Sequence, residues 1–168
     1  MKKFYSLLIV FIVTGSVNAQ NYNPSRAGFM LILPVDSINF YTQQVPESNY
    51  IVNGTVLQIY SGEEIFIEVE TDSAKIVSMK CVEEIVDPNK TLVVNLSQKI
   101  EGKINKGSTL KISNPFDYKL SYNAAMYIVG GTDWLSTTTM PVEANLTNFE
   151  LWPEVVITLV LNNWVLSE

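Results

Sequence analysis

Along most of this chain, apolar and polar residues alternate with a period of two. Ile65, Ile67 and Val69 fall on one side of an extended strand, and Glu64, Phe66, Glu68 and Glu70 fall on the other. Leu92, Val94 and Leu96 oppose Val93, Asn95 and Ser97 in the same way. Successive side chains of a strand point to opposite faces of a sheet, so this pattern describes one packed face and one wet face. Runs rich in Val, Ile, Thr, Tyr and Phe predict strands at Phe29–Leu33, Thr55–Tyr60, Glu64–Glu70, Lys75–Val82, Thr91–Gln98, Thr109–Ser113, Lys119–Ile128, Val142–Leu146 and Val155–Leu161. No window of helical length keeps an apolar stripe at 3.6-residue spacing, and short helical turns are expected only near Asp36–Gln43.

Turn residues fall between the runs. Ser61-Gly62-Glu63, Asp87-Pro88-Asn89 and Asn105-Lys106-Gly107 each break one strand from the next. Their regular spacing predicts an all-β fold, an antiparallel two-sheet β-sandwich of immunoglobulin-like architecture, in a single domain over residues 20–168. The paired cysteines around a tryptophan that mark antibody domains are absent, so the likeness is one of architecture and carries no function. A closed outer-membrane barrel is the competing architecture. It would need long alternation in nearly every strand, and such barrels usually end on an aromatic residue, whereas this chain reads Leu166-Ser167-Glu168.

The first residues belong to another class. Met1-Lys2-Lys3, an apolar run from Phe4 to Val13 and the small residues before Gln20 make the three parts of a signal peptide, over residues 1–19. The apolar run is about half the ~20 residues that a membrane-spanning helix needs. Export to the periplasm or beyond the cell is therefore expected, with a mature start at Gln20. Lys2 and Lys3 leave with the leader, so the mature chain is strongly acidic and its one arginine is Arg26. A phosphate backbone is recognised by clustered Lys and Arg, so nucleic acid is not an expected partner. The interrupted apolar stretch from Leu151 to Leu166 reads as a core strand, and no membrane span is expected in the mature chain.

Histidine is absent and Cys81 is the single cysteine. That removes Ser-His-Asp and Cys-His catalysis, imidazole zinc sites and any intramolecular disulfide. Cys81 shares its parity with Val77 and Met79, which predicts a small buried hydrophobe in a strand. The doublets Glu63-Glu64 and Glu83-Glu84 point to opposite faces, so neither is an acid–base dyad, and a solvated acidic face is the expected role. No loop carries the spaced aspartates of a calcium site. No cofactor and no metal ligands are predicted.

Binding residues are the remaining chemistry. In Gly130-Gly131-Thr132-Asp133-Trp134, a tryptophan follows a double glycine, a hydroxyl and a carboxylate. An exposed indole stacks on sugar rings, and Thr132 and Asp133 are placed to orient hydroxyls. A trio of loops, Asn114-Pro115-Phe116-Asp117-Tyr118, the same Gly130-Gly131 and Trp152-Pro153, supplies candidate protein-interaction residues Asn114, Pro115, Phe116 and Trp152. The trio resembles the loops of chagasin-like inhibitors of cysteine proteases, which implies joint presentation at one end of an immunoglobulin-like fold. The Asn-Pro loop here lacks that family's Thr-Thr-Gly continuation, and the order of aromatic and Pro is reversed. Asp36-Ser37-Ile38 and Asp72-Ser73-Ala74 resemble the Asp-Ser/Thr-apolar acceptor of a bacterial O-glycosylation system.

These residues together predict an exported, non-enzymatic binding protein of the bacterial envelope or exterior, with a glycan or a protein as partner. The alternatives are a loop-presenting protease inhibitor and a carboxylate-based hydrolase.

Overall fold

The computed structural model describes residues 24–168; the leader and the cleavage site before Gln20 lie outside the described residues. In chain order the strands are β1 (Ser25–Arg26), β2 (Phe29–Pro34), β3 (Phe40–Val45), β4 (Ser48–Asn49), β5 (Ile51–Asn53), β6 (Val56–Tyr60) and β7 (Glu63–Asp72). There follow β8 (Lys75–Val82), β9 (Thr91–Glu101), β10 (Ile104–Ser113), β11 (Lys119–Ile128), β12 (Leu135–Thr137), β13 (Thr147–Trp152) and β14 (Val156–Ser167). Among the described residues there is no helix, and so none long and apolar enough to cross a membrane.

Two five-stranded antiparallel sheets carry the fold, one in the order β13-β10-β9-β7-β8 and the other in the order β12-β11-β14-β6-β5. Their inner faces meet in one core. Ile65, Ile67, Leu92, Val94, Leu110 and Ile112 from the first sheet pack with Leu57, Ile59, Leu120, Leu159, Leu161 and Trp164 from the second. The period of two that marked β7 and β9 is the reason: each of these residues occupies the inward position of its pleat. Cys81 lies in this core, as its parity predicted.

The sheets also correct the expected elements. Asp36–Gln43 holds no helical turn. Asp36 accepts the N–H groups of Ile38 and Asn39 at 2.8 Å, which closes a tight turn, and Phe40 enters β3 directly. Val142–Leu146 is not a strand. Only Val142 bridges Leu120, and the rest turns through Asn145 at φ 58° before β13 begins.

The registers assign each loop to an end of the sandwich. Ser113↔Thr147 and Lys119↔Ser167 set the Asn114–Tyr118 loop at one end. Ser108↔Trp152 and Ile128↔Val156 set Gly130-Gly131 and Trp152-Pro153 at the other. At that second end Gly107 has φ 118°, and a Cβ there would overlap the Trp152 carbonyl oxygen, so glycine alone lets β13 pass.

A third layer covers part of one sheet. The β2–β3 hairpin lies on the outer side of the second sheet, where Leu31, Leu33 and Val45 pack with Val155 and Ile157 in a smaller core. Phe29, Tyr41, Tyr60, Tyr127 and Val129 line it. The ladder β1–β4 continues the hairpin in the same register, Arg26↔Ser48 after Phe29↔Val45. Arg26, only 2% exposed, clamps this joint. Its Nε donates to Glu63 Oε1 at 2.6 Å and its two Nη groups donate to Glu63 Oε2, Ser48 Oγ and the Gln58 carbonyl. Tyr50 and Tyr60 sandwich the guanidinium, with ring centroids 4.5 and 4.8 Å from Cζ. Four of the five N–H donors of this buried cation are used and its charge is paired, which is the condition for burying it.

Candidate functional site

Trp134 stands at the end of the sandwich that carries Gly130-Gly131. Gly130, at φ 81°, turns the chain after β11, and the Gly131 N–H returns to the Ile128 carbonyl at 3.1 Å. The segment that follows is exposed: Thr132, Asp133 and Trp134 all face solvent, and Trp134 keeps 47% of its surface. Its ring leans on Tyr127, with centroids 5.6 Å apart and planes at 53°. Thr132 Oγ1 donates to Asp133 Oδ2 at 2.9 Å, in the residues just before Trp134. The result is a half-exposed indole in tilted contact with Tyr127, in a segment that also exposes a carboxylate and a hydroxyl.

The Asn114 loop has a different character. Asn114 is buried, and its Nδ2 donates to the carbonyls of Tyr118, Val142 and Glu143 while its Oδ1 accepts the Phe116 N–H. Phe116 is buried in the main core, and Pro115 is half-buried. The side chains of Asn114 and Phe116 therefore hold the loop and the turn at Val142–Asn145 together and offer little to a partner. Trp152 is likewise part of the core, and its Nε1 donates to Thr137 Oγ1 at 3.1 Å. The loop trio is not brought together. Gly130-Gly131 and Trp152-Pro153 share one end, and the Asn114–Tyr118 loop lies at the other, about 30 Å away along a ten-residue strand.

At the Asn114 end lies an open cleft of about 690 Å³. Its lining includes the apolar Val69, Phe116 and Leu166 and the charged Glu68, Glu70, Asp117 and Lys90. Glu68 and Glu70 project from the same face of β7, two residues apart. Glu70 accepts the Ser78 hydroxyl at 2.9 Å, and Asp117 accepts the Asn145 amide at 2.9 Å. Among the described residues no group of three or more His, Cys, Asp or Glu is placed to hold a metal ion.

Burial pushes the Cys81 thiol up to about 12, and its neighbours Arg26 and Glu63 act on it in opposite senses. Such a thiol keeps its proton at neutral pH and is no nucleophile. The Tyr122 phenol is also held above its ordinary range, first by burial and then by Glu150. The Arg26 clamp is the feature that sequence reasoning missed. Its partners lie 22 to 37 residues away, and only the count of one arginine in a strongly acidic chain marked the position. Comparison with protein-family models, with curated proteins and with solved structures finds no match to this chain.

Proposed function

We propose that this protein is an exported, non-enzymatic β-sandwich, immunoglobulin-like in architecture, that binds a glycan of the cell envelope or exterior at Trp134. The observation that carries the reading is the half-exposed indole in contact with Tyr127, in a segment that also exposes Thr132 and Asp133. A ring already in contact with Tyr127 loses less freedom than a free one when a sugar stacks on its exposed surface. The test is a glycan array read beside a melting curve. Trp134→Ala should lose retention on the array yet melt close to wild type, since a truncated core tryptophan costs about 3–5 kcal/mol and this one is half in water. Unchanged retention would remove Trp134 from the binding surface.

The carboxylate-hydrolase alternative is favoured by one observation, the shared cleft of Glu68 and Glu70. Residues two apart on a strand have Cα atoms about 7 Å apart, so their flexible side chains can bring two carboxyl groups to the spacing used on glycosidic bonds. Hydrolysis of a glycoside panel that is abolished in Glu68→Gln or Glu70→Gln would establish that reading in place of the first. The inhibitor alternative has no comparable support, because its three loops lie at opposite ends.

A further inference from the structure

Two serines of this chain follow an aspartate, Ser37 and Ser73, and each precedes an apolar residue, Ile38 or Ala74. The fold puts both triplets on hairpin turns. Asp36-Ser37-Ile38 joins β2 to β3, and Ser73-Ala74 is the two-residue turn between the paired Asp72 and Lys75. Both serines are exposed, and no hydrogen bond ties either hydroxyl to the rest of the described protein. They stand at opposite ends of the sandwich. β7 finishes at the end of the Asn114–Tyr118 loop, as Glu68↔Thr91 and Val93↔Ser113 require. The β2–β3 tip lies at the Trp152 end, where Gln98, paired with Ser108, donates its Nε2 to the Pro34 carbonyl at 2.6 Å.

The turns themselves do not call for all of these residues. Ser73 has φ 56°, a left-handed conformation at the first turn position, where glycine or asparagine is the less costly choice. Ile38 is 80% exposed at a tip where polar residues are usual. Asp36 alone is explained locally. It accepts the Ile38 and Asn39 N–H groups, and the Val35 N–H reaches the Asn39 carbonyl at 2.9 Å, so the loop is pinned at its base with Ser37 at its apex. We infer that Ser37 and Ser73 are glycosylation sites, each Oγ carrying a saccharide added by a transferase that reads Asp-Ser-apolar. The inference rests on the export proposed above and not on sugar binding at Trp134. In the transfer, the serine Oγ attacks the anomeric carbon of a saccharide activated as a diphosphate ester. The bond from Oγ to that carbon forms as its bond to the phosphate oxygen breaks. The diphosphate leaves with the bonding pair, and the hydroxyl proton passes to a base of the transferase. A hairpin tip suits the reaction, because an enzyme can close around it without parting the sheets. The product is a bulky, hydrated group at each end of the molecule.

Intact-mass spectrometry of the protein purified from its native host tests the inference. The spectrum should show the chain from Gln20 plus two saccharide increments, which mild alkaline elimination releases from positions 37 and 73. Ser37→Ala should remove one increment. Ser73→Gly, chosen because glycine tolerates φ 56°, should remove the other, and the double variant should have neither. Ser37→Thr should keep its increment, since it keeps a hydroxyl. Asp36→Asn can still cap the turn through its side-chain carbonyl, so loss of the increment there reports the reading of the carboxylate. Trp134→Ala should leave both increments in place. A mass equal to the bare chain from Gln20 overturns the modification and leaves export standing. A bare chain from Met1 overturns both. Increments that survive in the double variant place the saccharides elsewhere and overturn these two sites.

Discussion

The two outer faces of this sandwich solve the same problem in opposite ways. The first sheet is open to water, and β7 presents Glu64, Glu68 and Glu70 on that side, with Lys80 of β8 opposite Glu68. Alternation of charge with apolar residues makes such a face soluble without a cover. The second sheet presents Tyr60, Tyr127, Val155 and Ile157 on its outer side, and there the chain supplies a lid, the β2–β3 hairpin. A lid is useful only if it stays down. One buried cation, held by a carboxylate, a hydroxyl, a carbonyl and two rings, keeps it there. The open face is maintained by many weak, independent contributions, and the covered face by a few strong, coupled ones.

That contrast sets the expected mutational effects. The largest belongs to Arg26→Ala, which strands the Glu63 carboxylate in a mostly buried site and loosens the lid. Breaking one partner out of a buried pair costs about 3–5 kcal/mol, readable as a shifted midpoint in denaturant unfolding. The double change Arg26→Met with Glu63→Gln should recover part of that loss, because no charge is then left alone. If the double variant is as unstable as Arg26→Ala, the clamp acts through packing and not through charge.

Next comes Ile157→Ala, under the lid. Emptying a fully buried aliphatic site costs about 2–5 kcal/mol, with the amount set by how far the hairpin can settle into the space. An effect below about 1 kcal/mol would mean that the lid rests on the sheet without close packing.

A third test uses alkaline pH. Cys81 titrates near 9 in an unfolded chain and is pushed up to about 12 in the folded one. Between these values the unfolded state sheds a proton that the folded state retains. Stability from this group is therefore complete below pH 9 and is lost as pH rises toward 12. Melting temperature should fall across that window, and Cys81→Ala should remove the part that begins at pH 9. Thiol reagents at neutral pH should label Cys81 only after denaturation. The smallest effect is expected on the open face, where Glu64→Gln should change stability by no more than about 0.5 kcal/mol.

How much of this could be read in advance depends on which face a strand serves. β7 and β9 alternate as a half-buried strand should, and their inward residues are the ones that pack. β13 alternates backwards. Phe149 and Leu151 face water, while Asn148 and Glu150 point the other way, where both engage the backbone of Met140. An edge strand that uses its polar side chains to hold a neighbouring segment gives no amphipathic signal, so the strand was expected at Val142–Leu146 instead. There Asn114 has captured the carbonyls of Val142 and Glu143. The hairpin was half readable. Phe29–Leu33 announced β2, but Phe40–Val45 pairs with it across a turn and has little pattern of its own. Trp134 was readable as a loop residue from the double glycine before it. That its ring would rest on Tyr127 depends on a fold-back that local sequence does not encode. For the loop trio, β11 decides the outcome, since its ten residues separate Asn114–Tyr118 from Gly130-Gly131.

The position of β14 has a consequence for how the molecule is made. It is the latest strand in the chain, yet it sits in the middle of its sheet, between β11 and β6. Its side chains reach far back: Thr158 Oγ1 donates to the Ile59 carbonyl across 99 residues, and Trp164 Nε1 to that of Thr55 across 109. Without β14, β11–β12 and β5–β6 share no strand pairing, because residues 156–167 supply the ladder to both. Domains dominated by such distant pairings fold slowly, because the loop must close before any contact rewards it. The second sheet is therefore completed only when its central strand takes its place between two halves that are distant in sequence.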